Sequence, residues 1–232
     1  MVISPILKGM FGLEADATRH ALTFAPHIPA HWKSFSIENV RMGSSAFVLN
    51  YDRTEEGTPG VPGTVVLEAG RTRGDDECTI EFRPTISLHA KVQKVELNRK
   101  PHPFRIETNS EDQHVVVRFP VKEGKNVIVI YIQNDFGVSE TAGLPLLGSK
   151  SEGLRIISET WTPLRDQLTL DVSGVAGHEY KLVMRNGGLI QKVEGAESGQ
   201  GWTYWVKIPQ SNSERYAHAK IVIHVWPKVP PG

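Results

Sequence analysis

A single cysteine, Cys78, stands in a chain of 232 residues. One thiol excludes an internal disulfide framework and a cysteine-built structural zinc site, and it leaves the compartment open. Neither sign of charge is in excess, since Lys+Arg and Asp+Glu are 26 each. There is therefore no positive field to gather nucleic acid or anionic lipid and no acidic tail, and neither nucleic acid nor a membrane is expected as a partner. No apolar run is long enough to span a bilayer. The opening MVISPILKGMFGL is apolar but has no basic region before it, no small-residue cleavage site after it, and Pro5 within it. It does not read as a signal peptide, so localisation stays unassigned.

Catalytic signatures are missing as well. The sequence holds no G-x-S-x-G elbow, no Ser-x-x-Lys, and no G-x-G-x-x-G or Walker-type loop, so neither an activated nucleophile nor a nucleotide cofactor is expected. His27 and His31 have the i, i+4 spacing of a zincin helix, but Pro29 lies between them and no Glu follows His27. A helix aiming both rings at one ion cannot form there. His218 and His224 lie six residues apart on one expected strand, which separates them by about 20 Å at the usual strand rise. No metal site and no cofactor is expected, and the histidines read as surface or hydrogen-bonded groups.

What is present is a period of two. With 39% hydrophobic residues the chain can build a sizeable core. From about Ala21 onward apolar and polar residues alternate in short runs bounded by turn residues, the pattern of half-buried antiparallel strands. The clearest are FSIENVRM (35 to 42), AFVLNYD (46 to 52), GTVVLEA (63 to 69), ECTIEFRP (77 to 84), KVQKVELN (91 to 98), HVVVRFPV (114 to 121) and NVIVIYIQ (126 to 133). Then come LRIISETW (154 to 161), QLTLDVSG (167 to 174), HEYKLVMR (178 to 185), WTYWVKIP (202 to 209) and AKIVIHVW (219 to 226). The Pro- and Gly-rich EEGTPGVPG (55 to 63) reads as a surface excursion, and SETAGLPLLGSKSEG (139 to 153) as a linker or a crossover. Helical spacing occurs once, over Val2–Phe11. The expected fold is all-β: a large antiparallel two-sheet sandwich with one short N-terminal helix.

Candidate chemistry is sparse. Acids that could form a catalytic pair are Glu14 and Asp16, the cluster Asp75, Asp76 and Glu77, and Glu159 beside Trp161; all also fit ordinary turn or structural roles. The aromatics Trp202, Tyr204 and Trp205 follow a glycine-rich tip, and alternation puts Trp202 and Tyr204 on one face and Trp205 on the other. An outward indole or phenol can stack on the apolar face of a sugar ring, and Trp161 is a second candidate. The plainer reading is that these large aromatics fill the middle of a sandwich.

The stretch GMFGLEADATRHALTFAPHIPAHWKSFSIENVRMGSSAFVLNYDR resembles the region of bacterial (α/α)6-barrel glycoside hydrolases, the amylo-α-1,6-glucosidase, glucoamylase-like and trehalase-like group, where the barrel ends and a β-sandwich begins. The likeness covers about the first fifty residues, continues through KVQKVELNRKPHPFRIE and NVIVIYIQNDFG, and fades after position 150. It implies a supersandwich-like region opened by a closing helix and loop (1–17), and the composition break divides the rest into a first sandwich portion (18–140), a linker or crossover (141–153) and a second portion (154–232). The family's catalytic carboxylates lie on barrel loops upstream of the closing helix, so none is carried over, and Glu14 and Asp16 fall in the connecting loop. The implied partners are the barrel of a parent enzyme, cytoplasmic or periplasmic, and an α-glucan or oligosaccharide. The expected function is a non-catalytic module that supports the barrel and can hold carbohydrate. A stand-alone glycosidase with an unrecognised carboxylate pair and an independent carbohydrate-binding module are the alternatives. Self-association is expected from a helix exposing Ile6, Leu7, Met10 and Phe11.

Overall fold

A computed structural model describes residues 6–28, 32–54, 62–133, 135–140 and 147–226. Val2–Pro5 of the expected helix, Pro29 and His31, most of the 55–63 excursion and residues 141–146 of the expected linker lie outside the described residues. The chain is an all-β sandwich, and the four sheets among the described residues are shared between two compact units, Met1–Asp135 and Phe136–Gly232.

The expected helix is reduced, within the described residues, to one π-type turn at Ile6–Met10, closed by the Phe11 N–H donating to the Ile6 carbonyl at 3.1 Å. Gly9 sits inside this turn, and Gly12, at φ +54°, swings the backbone out of it. Phe11 is not exposed as expected: its ring packs on Phe35 at 4.8 Å and joins the core of the first unit.

The first unit contains β1 (Leu13–Asp16), β2 (Ala21–Phe24), β3 (Ser34–Met42), β4 (Ser45–Thr54), β5 (Gly63–Arg73), β6 (Thr79–Phe82), β7 (Thr85–Ser87), β8 (Lys91–Leu97), β9 (Lys100–Pro101), β10 (Arg105–Thr108), β11 (Asp112–Pro120) and β12 (Lys125–Gln133). One sheet runs β1-β2-β6-β11-β10, with β7 also on β11; the other runs β3-β4-β5-β12-β8-β9. All pairs are antiparallel except β2 with β6, which run parallel. Glu14 and Asp16, expected in a loop, stand on edge strand β1, where Leu13 turns toward the core and both acids are exposed.

Alternation builds the core from both sheets. Phe24 stacks on Phe82 at 5.6 Å within one sheet, and Tyr51 of the other meets Phe82 edge-on at 6.4 Å. Leu49, Leu67, Ile128 and Ile130 complete the opposite layer, fully buried. Such a contiguous apolar interior is the main favourable term for the unit.

The second unit contains β13 (Gly137–Glu140), β14 (Arg155–Trp161), β15 (Gln167–Val175), β16 (Glu179–Arg185), β17 (Ile190–Glu194), β18 (Glu197–Ser198), β19 (Thr203–Lys207) and β20 (Tyr216–Val225). Its sheets are β13-β16-β19-β18 and β14-β15-β20-β17, with Leu168, Leu170, Leu182, Val206, Ile221 and Ile223 buried in its own core. Gly137–Glu140, placed with the first portion by composition, belongs to this unit because β13 is hydrogen-bonded to β16.

Candidate functional site

The candidate acids occupy separate settings. Asp16 accepts the Arg19 backbone N–H at 3.0 Å and pairs loosely with its guanidinium at 3.6 Å, which makes it a turn residue. Glu14 shares its exposed strand face, two residues earlier. Asp76 is committed to the Ser44–Ser45 turn: its carboxylate accepts the Ser44 N–H at 2.6 Å and hydroxyl at 2.8 Å, and its own N–H donates to the Ser45 hydroxyl. These bonds, the Ser44 hydroxyl first, hold its carboxyl below the ordinary carboxylate value. A group held ionised in this way is a poor general acid. Asp75, beside it, is exposed. Glu159 accepts the Trp161 indole N–H at 3.0 Å.

The aromatics divide differently from the strand parity. Tyr204 packs against the core of the second unit as expected for an inward position, and Trp205 faces outward, 40% exposed. Trp202 does not share Tyr204's environment. It precedes β19, so the alternation that governs the strand does not apply to it, and its exposed ring seats against Gly187, where a Cβ would stand 2.2 Å from the ring carbon Cδ2. Trp161 is engaged on several sides: Phe136 meets it edge-on at 6.1 Å, the Arg165 guanidinium covers the ring at 4.2 Å, and Glu159 takes its N–H. It braces its surroundings and leaves little ring for a ligand.

Trp205 faces outward from within the paired strand β19. In the sheet register it stands directly between Lys181 of β16 and Glu197 of β18. Directly opposed residues of antiparallel strands share a face, so an outward indole is flanked by a cationic and an anionic side chain, both exposed. Gly199 borders the indole Nε1 edge: a Cβ there would come to 3.1 Å from it. A flat apolar plate between charged hydrogen-bonding groups is suited to a sugar ring, whose C–H face stacks while its hydroxyls donate and accept.

Several histidines lie beside acids. His218 bonds Asp171 at 3.0 Å and His224 contacts Glu194 at 3.3 Å, two separate pairs. His27 enters an arrangement that sequence reading missed, lying with Asp112 and His114 so that one ligand atom from each falls within 4.8 Å of the others. The available signal was the Asp-x-His spacing at 112 and 114, which puts both side chains on one face of a strand. His27 is 85 residues away from Asp112, and only the sheet order brings it there. Cys78 is buried, which pushes its thiol up to about 11 and leaves it unsuited to nucleophilic chemistry. The chain matches no family model, and neither curated proteins nor solved structures give a significant match.

Proposed function

We propose that this chain is a non-catalytic β-sandwich module of an (α/α)6-barrel glycoside hydrolase, supporting the barrel and holding α-glucan on the β13-β16-β19-β18 sheet of its second unit. The observation that carries the carbohydrate-holding part is the row Lys181–Trp205–Glu197, an exposed indole set in register between two charged side chains. The resemblance of the first fifty residues to the barrel–sandwich junction supplies the architectural part. The separate commitments of Asp16, Asp76 and Glu159 support the non-catalytic part, because each carboxylate is tied to a local partner.

Affinity electrophoresis through gels containing soluble starch tests this reading. Wild type is expected to be retarded, and Trp205→Ala to lose about three- to tenfold in affinity, as fits removal of one stacked aromatic. Equal migration of both proteins in starch and in starch-free gels would refute the carbohydrate-holding part. Turnover of maltooligosaccharides by the purified chain, abolished by one carboxylate substitution, would refute the non-catalytic part.

A further inference from the structure

We propose that His27, Asp112 and His114 form a binding site for one divalent transition-metal ion of the zinc type. The site arises from the way the first sheet of the first unit ends. Strands β2 and β11 both flank the short strand β6, which stops at Phe82. Beyond that end the chain following β2 comes alongside the beginning of β11, and Arg83–Thr85 bridges the gap: the Arg83 N–H donates to the Phe24 carbonyl at 2.8 Å, and Thr85 pairs with His114. The His27 N–H is anchored on the Met10 carbonyl at 2.8 Å. Asp112 and His114, two residues apart on β11, present side chains to the same face.

The distances suit a small ion. His27 Nε2 lies 3.2 Å from one Asp112 oxygen and His114 Nε2 lies 3.5 Å from the other, with the two imidazole centroids 5.1 Å apart. Tetrahedral zinc with arms of 2.0–2.1 Å separates its ligand atoms by about 3.4 Å; each imidazole nitrogen stands near that distance from its own Asp112 oxygen, and with one ligand atom taken from each residue all three lie within 4.8 Å, so side-chain rotation completes the set. The edge between the imidazoles closes by rotation of His27, whose side chain is 50% exposed. Asp112 and His114, at 17% and 14%, form the fixed floor, and the open side leaves room for water as the fourth ligand.

The surroundings orient the donors as a metal requires. His114 Nδ1 lies 3.3 Å from the Arg83 carbonyl, which can only accept, so a proton on that nitrogen leaves Nε2 directed at Asp112 as the ligating atom. Either a proton on Nε2 or a bound cation can stand between that nitrogen and the carboxylate, and the titration below separates the two. Asp112 is itself held by Asn109, which donates its amide to the carboxylate at 2.5 Å and accepts the Asp112 N–H at 2.8 Å. Glu107, opposite His114 on β10, is taken up by Arg83 and Arg105 and is not a ligand. Two imidazoles and one carboxylate favour zinc or cobalt over the hard ions calcium and magnesium, which take all-oxygen sets. The bound ion would clip the segment after β2 to β11.

The test uses the full chain without a polyhistidine tag, stripped with chelator and titrated with Zn²⁺ by calorimetry and with Co²⁺ by visible absorption. One zinc per chain, a rise in Tm with zinc, and the d–d bands of a four-coordinate N/O cobalt site are expected. His27→Gln, which changes only a half-exposed side chain, and Asp112→Asn should each weaken zinc binding more than about tenfold. His218→Gln should leave it unchanged. Zinc uptake by His27→Gln equal to wild type overturns the site. So does a wild-type chain that takes up no zinc and holds the three residues as histidine–carboxylate ion pairs only.

Discussion

Asn126 is 1% exposed and serves as the hub of the 122–126 turn. Its amide NH₂ donates to the carbonyls of Lys122 at 2.9 Å and of Ala69 and Gly124 at 3.4 Å, and its oxygen accepts the Lys122 N–H at 3.1 Å. Asn126→Asp keeps the shape and removes the donors, so a carboxylate would face three carbonyl oxygens in a buried site. The expected loss is about 2 kcal/mol or more by urea denaturation, with the fold retained. A midpoint equal to wild type would show that these carbonyls need no donor. Asp76 acts through pH. Because the Ser44 hydroxyl and N–H hold its carboxyl below the ordinary 3.8, the folded chain takes up that proton less readily than the unfolded one. Its stabilisation is complete above the ordinary value and is lost as pH falls through the folded value. The advantage of wild type over Asp76→Asn should therefore be constant near neutrality and shrink once the pH drops below 3.8. Urea midpoints across that range give the comparison, and an unchanging gap would remove Asp76 as the titrating group.

Among the elements, the first hairpin depends on one glycine. Gly12 joins the π-type turn to β1 at φ +54°, its carbonyl accepts the Ala25 N–H at 3.1 Å, and a Cβ placed on it would stand 2.4 Å from the Ala25 carbonyl oxygen. Gly12→Ala combines backbone strain with a clash against main chain that cannot rotate away, and about 1–2 kcal/mol or more should be lost. Hydrogen exchange should quicken first in β1 and β2, with melting lowered in step; an alanine variant with wild-type protection there would refute the argument. The longer strands were legible because both signals agree in them. NVIVIYIQ alternates, is β-branched, and is β12 almost residue for residue, and QLTLDVSG lies within β15. Strand β1 was not legible: LEAD is four residues long, half acidic, and is held by its pairing with β2. The parallel pairing of β2 with β6 joins segments more than fifty residues apart, which no local period encodes. Of the candidate site, parity correctly set Trp205 and Tyr204 on opposite faces without saying which one faces outward, but it failed at Trp202, which lies outside the paired strand. The His27 cluster failed for the reason β2–β6 did, since it depends on sheet order.

For the whole molecule, the division of the apolar residues into two clusters has a measurable consequence. Each unit has two sheets and an interior of its own, one centred on Phe24, Phe82 and Ile130, the other on Leu170, Leu182 and Ile221. A domain with its own core can lose its packing as a unit, and its most protected amides report the free energy of that event. Leu170 is fully buried in β15, opposite Glu159 of β14 and Ile221 of β20, so Leu170→Ala leaves a cavity in the middle of the second interior. A loss of about 2–5 kcal/mol is expected for such a truncation, the size depending on how far the neighbours collapse into the space. Native-state hydrogen exchange read strand by strand should show that loss in β15, β16 and β20. Protection in β4, β5 and β12 should remain at the wild-type level, because none of their core residues lies in the damaged cluster. An equal loss in both sets of strands would mean that the two interiors unfold together as one cooperative body, despite being separate in their packing.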